Sequence, residues 1–167
     1  MTYYVLFAIS LVDRAVKVLG LTASPSQAWM LQVGRNATDS EGGPLVGKRY
    51  LIIDRDSKYT ERFRRLVHEA GTEVIRLPPL SPNLNAYAER FVRSIKHECL
   101  DKMIFIGQAS LRSAVSQFVE HYHQERNHQG LDNTLIRPCS SDAANGGPIH
   151  RRQRLGGMLN FYYRMPA

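Results

Sequence analysis

Two carboxylates carry the chemical interest of this chain. Asp54 closes the apolar run Tyr50-Leu51-Ile52-Ile53, and Glu89 lies inside Asn85-Ala86-Tyr87-Ala88-Glu89-Arg90-Phe91, about 35 positions further on. A strand that delivers one carboxylate at its end, then a helix-strand unit, then a second carboxylate on a helix can bring two hard oxygen ligands around a divalent cation. Two such cations clamp the attacking and leaving oxygens of a phosphodiester. Asp56 competes for the first position, but it falls past the strand and reads as the cap of a helix beginning near Ser57, so it ranks second. The plainer reading of Asp54 is a strand-end cap of the same kind. For Glu89 it is an exposed pair with Arg93, four positions on, worth less than ~1 kcal/mol.

The elements that must position these residues follow from pattern. Tyr3 to Ser10 and Ala15 to Leu21 read as strands joined by the turn Leu11 to Arg14. Ser24 or Ser26 can cap a helix through about Ala37, and the loop Asp39 to Pro44 separates it from Lys48-Arg49 and the strand ending at Asp54. The spacing of Phe63, Leu66 and Val67 predicts a helix from Ser57 through Ala70, stopped at Gly71, and Glu73 to Leu77 is a short strand. Pro78-Pro79-Leu80-Ser81-Pro82-Asn83 must be loop. On the next helix Ala88, Phe91, Val92, Ile95 and Cys99 form an apolar stripe, with Glu89, Arg93 and Lys96 along its edge. A last helix from Ala109 to about Glu125 turns Leu111, Val115, Phe118, Val119 and Tyr122 inward. Residues 138–167 read as a linker and a basic tail, His150-Arg151-Arg152-Gln153-Arg154, more often a solvated charge run than a reader of sequence.

Two segments, Ile53-Asp54-Arg55-Asp56-Ser57-Lys58-Tyr59-Thr60 and Ser81-Pro82-Asn83-Leu84-Asn85-Ala86-Tyr87-Ala88-Glu89-Arg90-Phe91, resemble the catalytic core of DDE transposases and retroviral-type integrases. His121-Tyr122-His123-Gln124-Glu125-Arg126-Asn127-His128-Gln129-Gly130-Leu131 is similar to the segment that follows the core helices in insertion-sequence transposases. The resemblance covers most of residues 1–137. It implies an α/β, ribonuclease H-like core with a mixed sheet flanked by helices, a polynucleotidyl transferase activity, and two Mg²⁺ or Mn²⁺ ions held by two aspartates and a glutamate. Asp54 matches the second aspartate and Glu89 the glutamate. The first aspartate of such cores sits on a strand before the hairpin with which this chain starts, so the resemblance implies a core lacking its first strand. Asp13, the one early alternative, lies in the hairpin turn, where aspartate is ordinary turn chemistry. Lys48, Arg49, Arg93 and Lys96 are the expected phosphate contacts, and Asn83, Asn85 and Tyr87 match the segment leading into the glutamate helix, where they orient Glu89, contact DNA, or serve turns and caps. Tyr122, Arg126 and His128 are implied to be structural or DNA-adjacent. A zinc site at His121, His123 and His128 is disfavoured, since helix positions two apart face away from each other.

A chain of 167 residues, 43% hydrophobic, suits one folded core. Its net charge of +7 favours a polyanionic partner. Two cysteines, Cys99 and Cys139, make no disulfide framework, and the apolar run from Tyr3 to Val12 is too short to span a bilayer, so a cytosolic protein without a membrane partner is expected. Two functions stay open. One is a transposase or integrase catalytic domain that cleaves and joins double-stranded DNA as a homo-oligomer; the other is a non-catalytic remnant that binds DNA or associates with itself through exposed sheet edges.

Overall fold

The computed structural model of the chain describes residues 1–79, 82–138 and 147–164, the side chains of residues 82 and 83 excepted. The chain divides into two compact units, one built from Met1–Ala8 with Lys17–Ala86 and the other from Ile9–Val16 with Tyr87–Ala167.

The first unit is α/β. Strands β1 (Tyr4–Ile9) and β2 (Val16–Thr22) form a hairpin whose turn is closed by Ser10 N–H donating to the Ala15 carbonyl at 2.9 Å, with Asp13 Oδ1 accepting from Ala15 N–H at 3.1 Å. Asp13 thus does the turn work its position suggests. Helix α1 (Gln27–Thr38) begins at Ser26, whose hydroxyl accepts from Trp29 N–H, the capping expected from the sequence. Strand β3 (Tyr50–Ile53), helix α2 (Glu61–Glu69) and strand β4 (Glu73–Arg76) make a βαβ unit in which β3 and β4 run parallel, Tyr50 opposite Glu73 and Ile53 opposite Arg76. Helix α2 starts later than the Ser57 read from the sequence. The intervening residues are held in turns by Asp56, and the Thr60 hydroxyl, accepting from Phe63 N–H, caps the helix instead. Gly71, at φ +90°, ends the turn after it.

Met30, Ala37, Leu45, Phe63 and Val67 form the core of this unit, with Leu51 and Val74 packed against it from the strands. Gly34 makes the helix contact possible: a Cβ there would lie 3.2 Å from both Leu66 Cδ2 and Phe63 Cε2. The other face of β3 and β4 is apolar yet open, with Ile52 and its cross-strand partner Ile75 exposed by 37% and 39%. The described strands pair two by two, β1 with β2, β3 with β4, β5 with β6, in place of the single mixed sheet expected from the sequence. The α/β character of the expectation stands.

The second unit pairs helix α3 (Ala86–Glu98) with helix α4 (Gly107–Gln124). Both carry the apolar spacing read from the sequence. Phe91 meets Tyr122 edge-on at 5.2 Å between centroids and Phe118 at 6.1 Å, while Ile95, Cys99, Leu111, Ala114 and Val115 are buried around them. Burial pushes the Cys99 thiol up to about 11, so it stays protonated and unreactive; Cys139 lies outside the described residues, as does most of the expected linker.

Residues 149–164 differ from the sequence reading. Instead of a basic tail they form an antiparallel hairpin of β5 (Ile149–Arg154) and β6 (Leu159–Arg164), with Arg151 opposite Tyr162 and Arg154 opposite Leu159. The alternation Leu159, Phe161, Tyr163 supplies one apolar face. Leu155 and Leu159 are buried, and Leu155 N–H donates to the Gln117 side chain of α4 at 3.1 Å. The connecting Leu155, Gly156 and Gly157 all have positive φ, a run that two glycines make tolerable.

Candidate functional site

Asp54 leaves β3 at its C-terminal end because the parallel ladder stops there, with Leu77 N–H donating to the Ile53 carbonyl as the last bond. Its Oδ1 accepts from Asp56 N–H at 2.9 Å, which fixes the carboxylate to the turn and leaves Oδ2 without a hydrogen bond among the described residues. Asp56 repeats this arrangement one step later, its Oδ1 accepting from Lys58 N–H at 2.9 Å, but its Oδ2 is also paired with Lys58 Nζ at 2.7 Å. The Lys58 side-chain bond, then the backbone bond, hold the Asp56 carboxyl below its ordinary value. Two aspartates of the same turn are therefore unequal: Asp56 is directly paired with Lys58, whereas Asp54 feels that charge only at longer range. Tyr59 beside them is pushed up to about 12 by burial, with the Asp54 and Asp56 charges adding to it, so it remains a neutral phenol.

Glu89 lies in the first turn of α3, exposed, and forms no hydrogen bond or ion pair among the described residues. The pairing with Arg93 that would account for it trivially is not made. Arg93 and Lys96 are exposed on the same helix at spacings of four and three, so carboxylate and cations share one edge of it. Asn85 is half-buried before the helix, and the exposed Tyr87 ring is covered by the Arg14 guanidinium at 3.4 Å from its centroid. The side chain of Asn83 lies outside the described residues. In the first unit Lys48 and Arg49 are exposed ahead of β3, Arg49 lying 4.9 Å from the Tyr50 ring centroid and the Lys48 carbonyl accepting from the Thr72 hydroxyl. Asp54 and Glu89 belong to different units.

Carboxylate oxygens are the donors that Mg²⁺ and Mn²⁺ take, and a ligand must not already be committed to a protein cation. Among the described residues Asp54 and Glu89 form no ion pair and Asp56 does. Among the described residues no group of three or more His, Cys, Asp or Glu side chains is gathered as a metal cluster.

Each of the three histidines has a protein partner. His121 shares a hydrogen bond of 2.9 Å with Glu125, His123 Nε2 accepts from Val16 N–H at 2.9 Å, and His128 Nε2 donates to the Tyr122 carbonyl at 2.7 Å. Burial lowers His123 to about 4, with the Arg137 and His128 charges adding to it, and the hydrogen bond from Val16 needs the neutral ring. Tyr122 and Arg126 are structural: the first sits between Phe91 and His128, and the second pairs with Glu98.

Sequence reasoning missed Glu125. Its side chain is fully buried and receives Arg154 Nη2 at 2.8 Å, His121 at 2.9 Å and Arg152 at 3.3 Å, while Arg154 also pairs with Glu120. Burial alone would raise this carboxyl, but the bonds from Arg154 and His121 outweigh it and hold it below its ordinary value. The only local signal was the four-residue spacing of His121 and Glu125 on one helix face; the arginines come from 27 and 29 positions away.

With the geometry in place, comparison with known proteins gives two matches. Residues 70–134 match the family model described as an integrase core domain. An 81-residue stretch is 33% identical to the protein of Xanthomonas euvesicatoria named "Insertion element IS476 uncharacterized 39.2 kDa protein", covering 48% of this chain and 23% of that protein. Together they support a transposase- or integrase-like catalytic core. Among the described residues no helix is long and apolar enough to cross a membrane.

Proposed function

We propose that this chain carries part of a DDE-type site for cleaving and joining DNA on a ribonuclease H-like core, with Asp54 and Glu89 as metal-ligating carboxylates. The observation that supports it most is selective. Of the two aspartates at the end of β3, the one matching the family position forms no ion pair among the described residues, and neither does Glu89, the second match. When bound, Mg²⁺ or Mn²⁺ would lower the pKa of an attacking water or DNA 3′-hydroxyl and stabilise the departing oxygen. Asp54 is held at one oxygen by the Asp56 amide, which fixes its orientation and reserves Oδ2. Lys58 neutralises Asp56 and so keeps it from competing. Lys48, Arg49, Arg93 and Lys96 contact phosphates of double-stranded DNA without reading sequence, and Asn83, Asn85 and Tyr87, which match the segment leading into the glutamate helix, orient Glu89 or contact DNA. On this reading the chain acts as a homo-oligomer in the cytoplasm.

The test is nicking of supercoiled plasmid across a Mg²⁺ and Mn²⁺ series. Metal-dependent nicking that disappears in Asp54→Asn and in Glu89→Gln, and survives in Asp56→Asn, is the expected result. Nicking that persists in both of the first two variants would overturn the assignment.

A second reading, a non-catalytic protein that binds DNA or associates with itself, is favoured by the open apolar strip of Tyr50, Ile52 and Ile75 on the β3/β4 face. In that case salt-sensitive DNA binding appears with no cleavage at any metal concentration, and Ile52→Lys reduces self-association measured by sedimentation.

A further inference from the structure

We infer that the outer face of the β5/β6 hairpin is a binding site for single-stranded DNA, with Arg151 and Arg164 on phosphates and Tyr162 stacked on a base. The inference starts from the period of the strands, which divides the hairpin into two faces. On the inner face lie His150, Arg152 and Arg154 with Leu159, Phe161 and Tyr163. These are spoken for: Arg152 and Arg154 pair with Glu125, the Arg152 guanidinium lies 4.9 Å from the Tyr163 ring centroid, and Phe161 and Tyr163 stack at 5.9 Å.

The outer face carries Ile149, Arg151 and Gln153 opposite Arg164, Tyr162 and Asn160. Its arginines have no carboxylate among the described residues; Arg164 donates only to the Gly147 carbonyl, at 2.8 Å. Tyr162 is 61% exposed and directly opposite Arg151 in the ladder, with Arg164 two positions along its own strand. An open aromatic ring flanked by two unneutralised guanidinium groups, with the amides of Gln153 and Asn160 beyond, is complementary to a polyanion that also offers flat rings. A duplex hides the faces of its bases in the stack and presents only their edges, whereas a single strand presents both phosphates and faces. The chemistry therefore selects the single strand. The basic run that reads as one charge patch in the sequence is two things: an inner pair that fastens the hairpin, and an outer arginine that meets the ligand.

This site involves no metal and stands apart from the Asp54 and Glu89 reading. The experiment is fluorescence anisotropy of the full chain with a labelled oligodeoxythymidine, in EDTA, across a salt series. Arg151→Gln and Arg164→Gln are each expected to reduce the slope of log K against log salt by about 0.7, the value for one phosphate of a single strand. Tyr162→Ala is expected to weaken binding by about 5- to 150-fold, with Tyr162→Phe restoring most of it. All three positions face solvent, so thermal melts should match the parent. Unchanged affinity and slope in these variants would overturn the inference, as would a loss equally large for a duplex of the same length. Because EDTA removes any metal contribution, Asp54→Asn should bind the oligonucleotide like the parent even if nicking is lost.

Discussion

Asp54 and Asp56 show how little separates a candidate ligand from a structural aspartate. Both accept a backbone N–H two residues on, and one lysine decides between them. Sequence alone ranks them by distance past the strand; the fold adds the reason, the pairing of Lys58 with Asp56. On the proposed assignment, Asp54→Asn and Glu89→Gln are each expected to cost more than about 100-fold in metal-dependent nicking, beyond the 10- to 100-fold typical of groups that merely support a ligand. Asp56→Asn, whose backbone N–H still holds Asp54, keeps most of the activity. His123 gives a prediction about pH. Its folded value near 4 lies below the ordinary 6.5, so the unfolded chain binds the proton first as pH falls. Its contribution to stability is complete above pH 6.5 and is lost between there and about pH 4, at roughly 1.4 kcal/mol per unit of separation. Urea midpoints measured across that window should flatten in His123→Gln.

Among the elements, the helices were the most legible. The stripe of Phe91, Ile95 and Cys99 and that of Leu111, Val115, Phe118 and Tyr122 appear in the fold as the sequence spacing places them, because helical period and burial agree. The C-terminal hairpin was not legible in the same way. Its alternation was interrupted by arginines that look solvated until a buried glutamate, contributed by α4, is there to receive them. Removing that receiver should be costly: Glu125→Gln leaves the Arg152 guanidinium without its charge partner and Arg154 with Glu120 alone, and is expected to lower stability by about 3 kcal/mol. Hydrogen exchange would show the loss first in residues 149–164. Since Glu125 is held below its ordinary carboxyl value, this attachment is present above about pH 4.5 and weakens as pH falls further. Elsewhere Gly34→Ala sets a methyl 3.2 Å from Phe63 and Leu66, and with the helix-propensity gain of about 1 kcal/mol set against the overpacking the expected net loss is about 0–2 kcal/mol in denaturant unfolding.

For the whole molecule, the +7 charge is distributed unevenly in its use. Arg126, Arg152 and Arg154 are consumed by internal pairs, while Lys48, Arg49, Arg93, Lys96 and Arg151 remain exposed. Duplex affinity should therefore fall steeply with salt, and each of Lys48→Gln, Arg49→Gln, Arg93→Gln and Lys96→Gln should reduce the logarithmic slope by about 0.9 if its side chain neutralises a phosphate. The βαβ order and the Asp54-to-Glu89 spacing were readable because they are local. The pairing of strands two by two was not, since partner choice depends on residues far apart in sequence. One such long link has a bearing on how the chain is made. The hydrogen bond from Val16 N–H to His123 Nε2 spans 107 positions, and the hairpin tip that donates it belongs to the second unit although it is synthesised well before the rest of that unit. At about 5–20 residues per second, the tip waits roughly 5–20 s on the ribosome for the histidine to follow. During that interval the tip lacks the partner it will keep, so a fragment starting at residue 87 would leave His123 facing a missing donor.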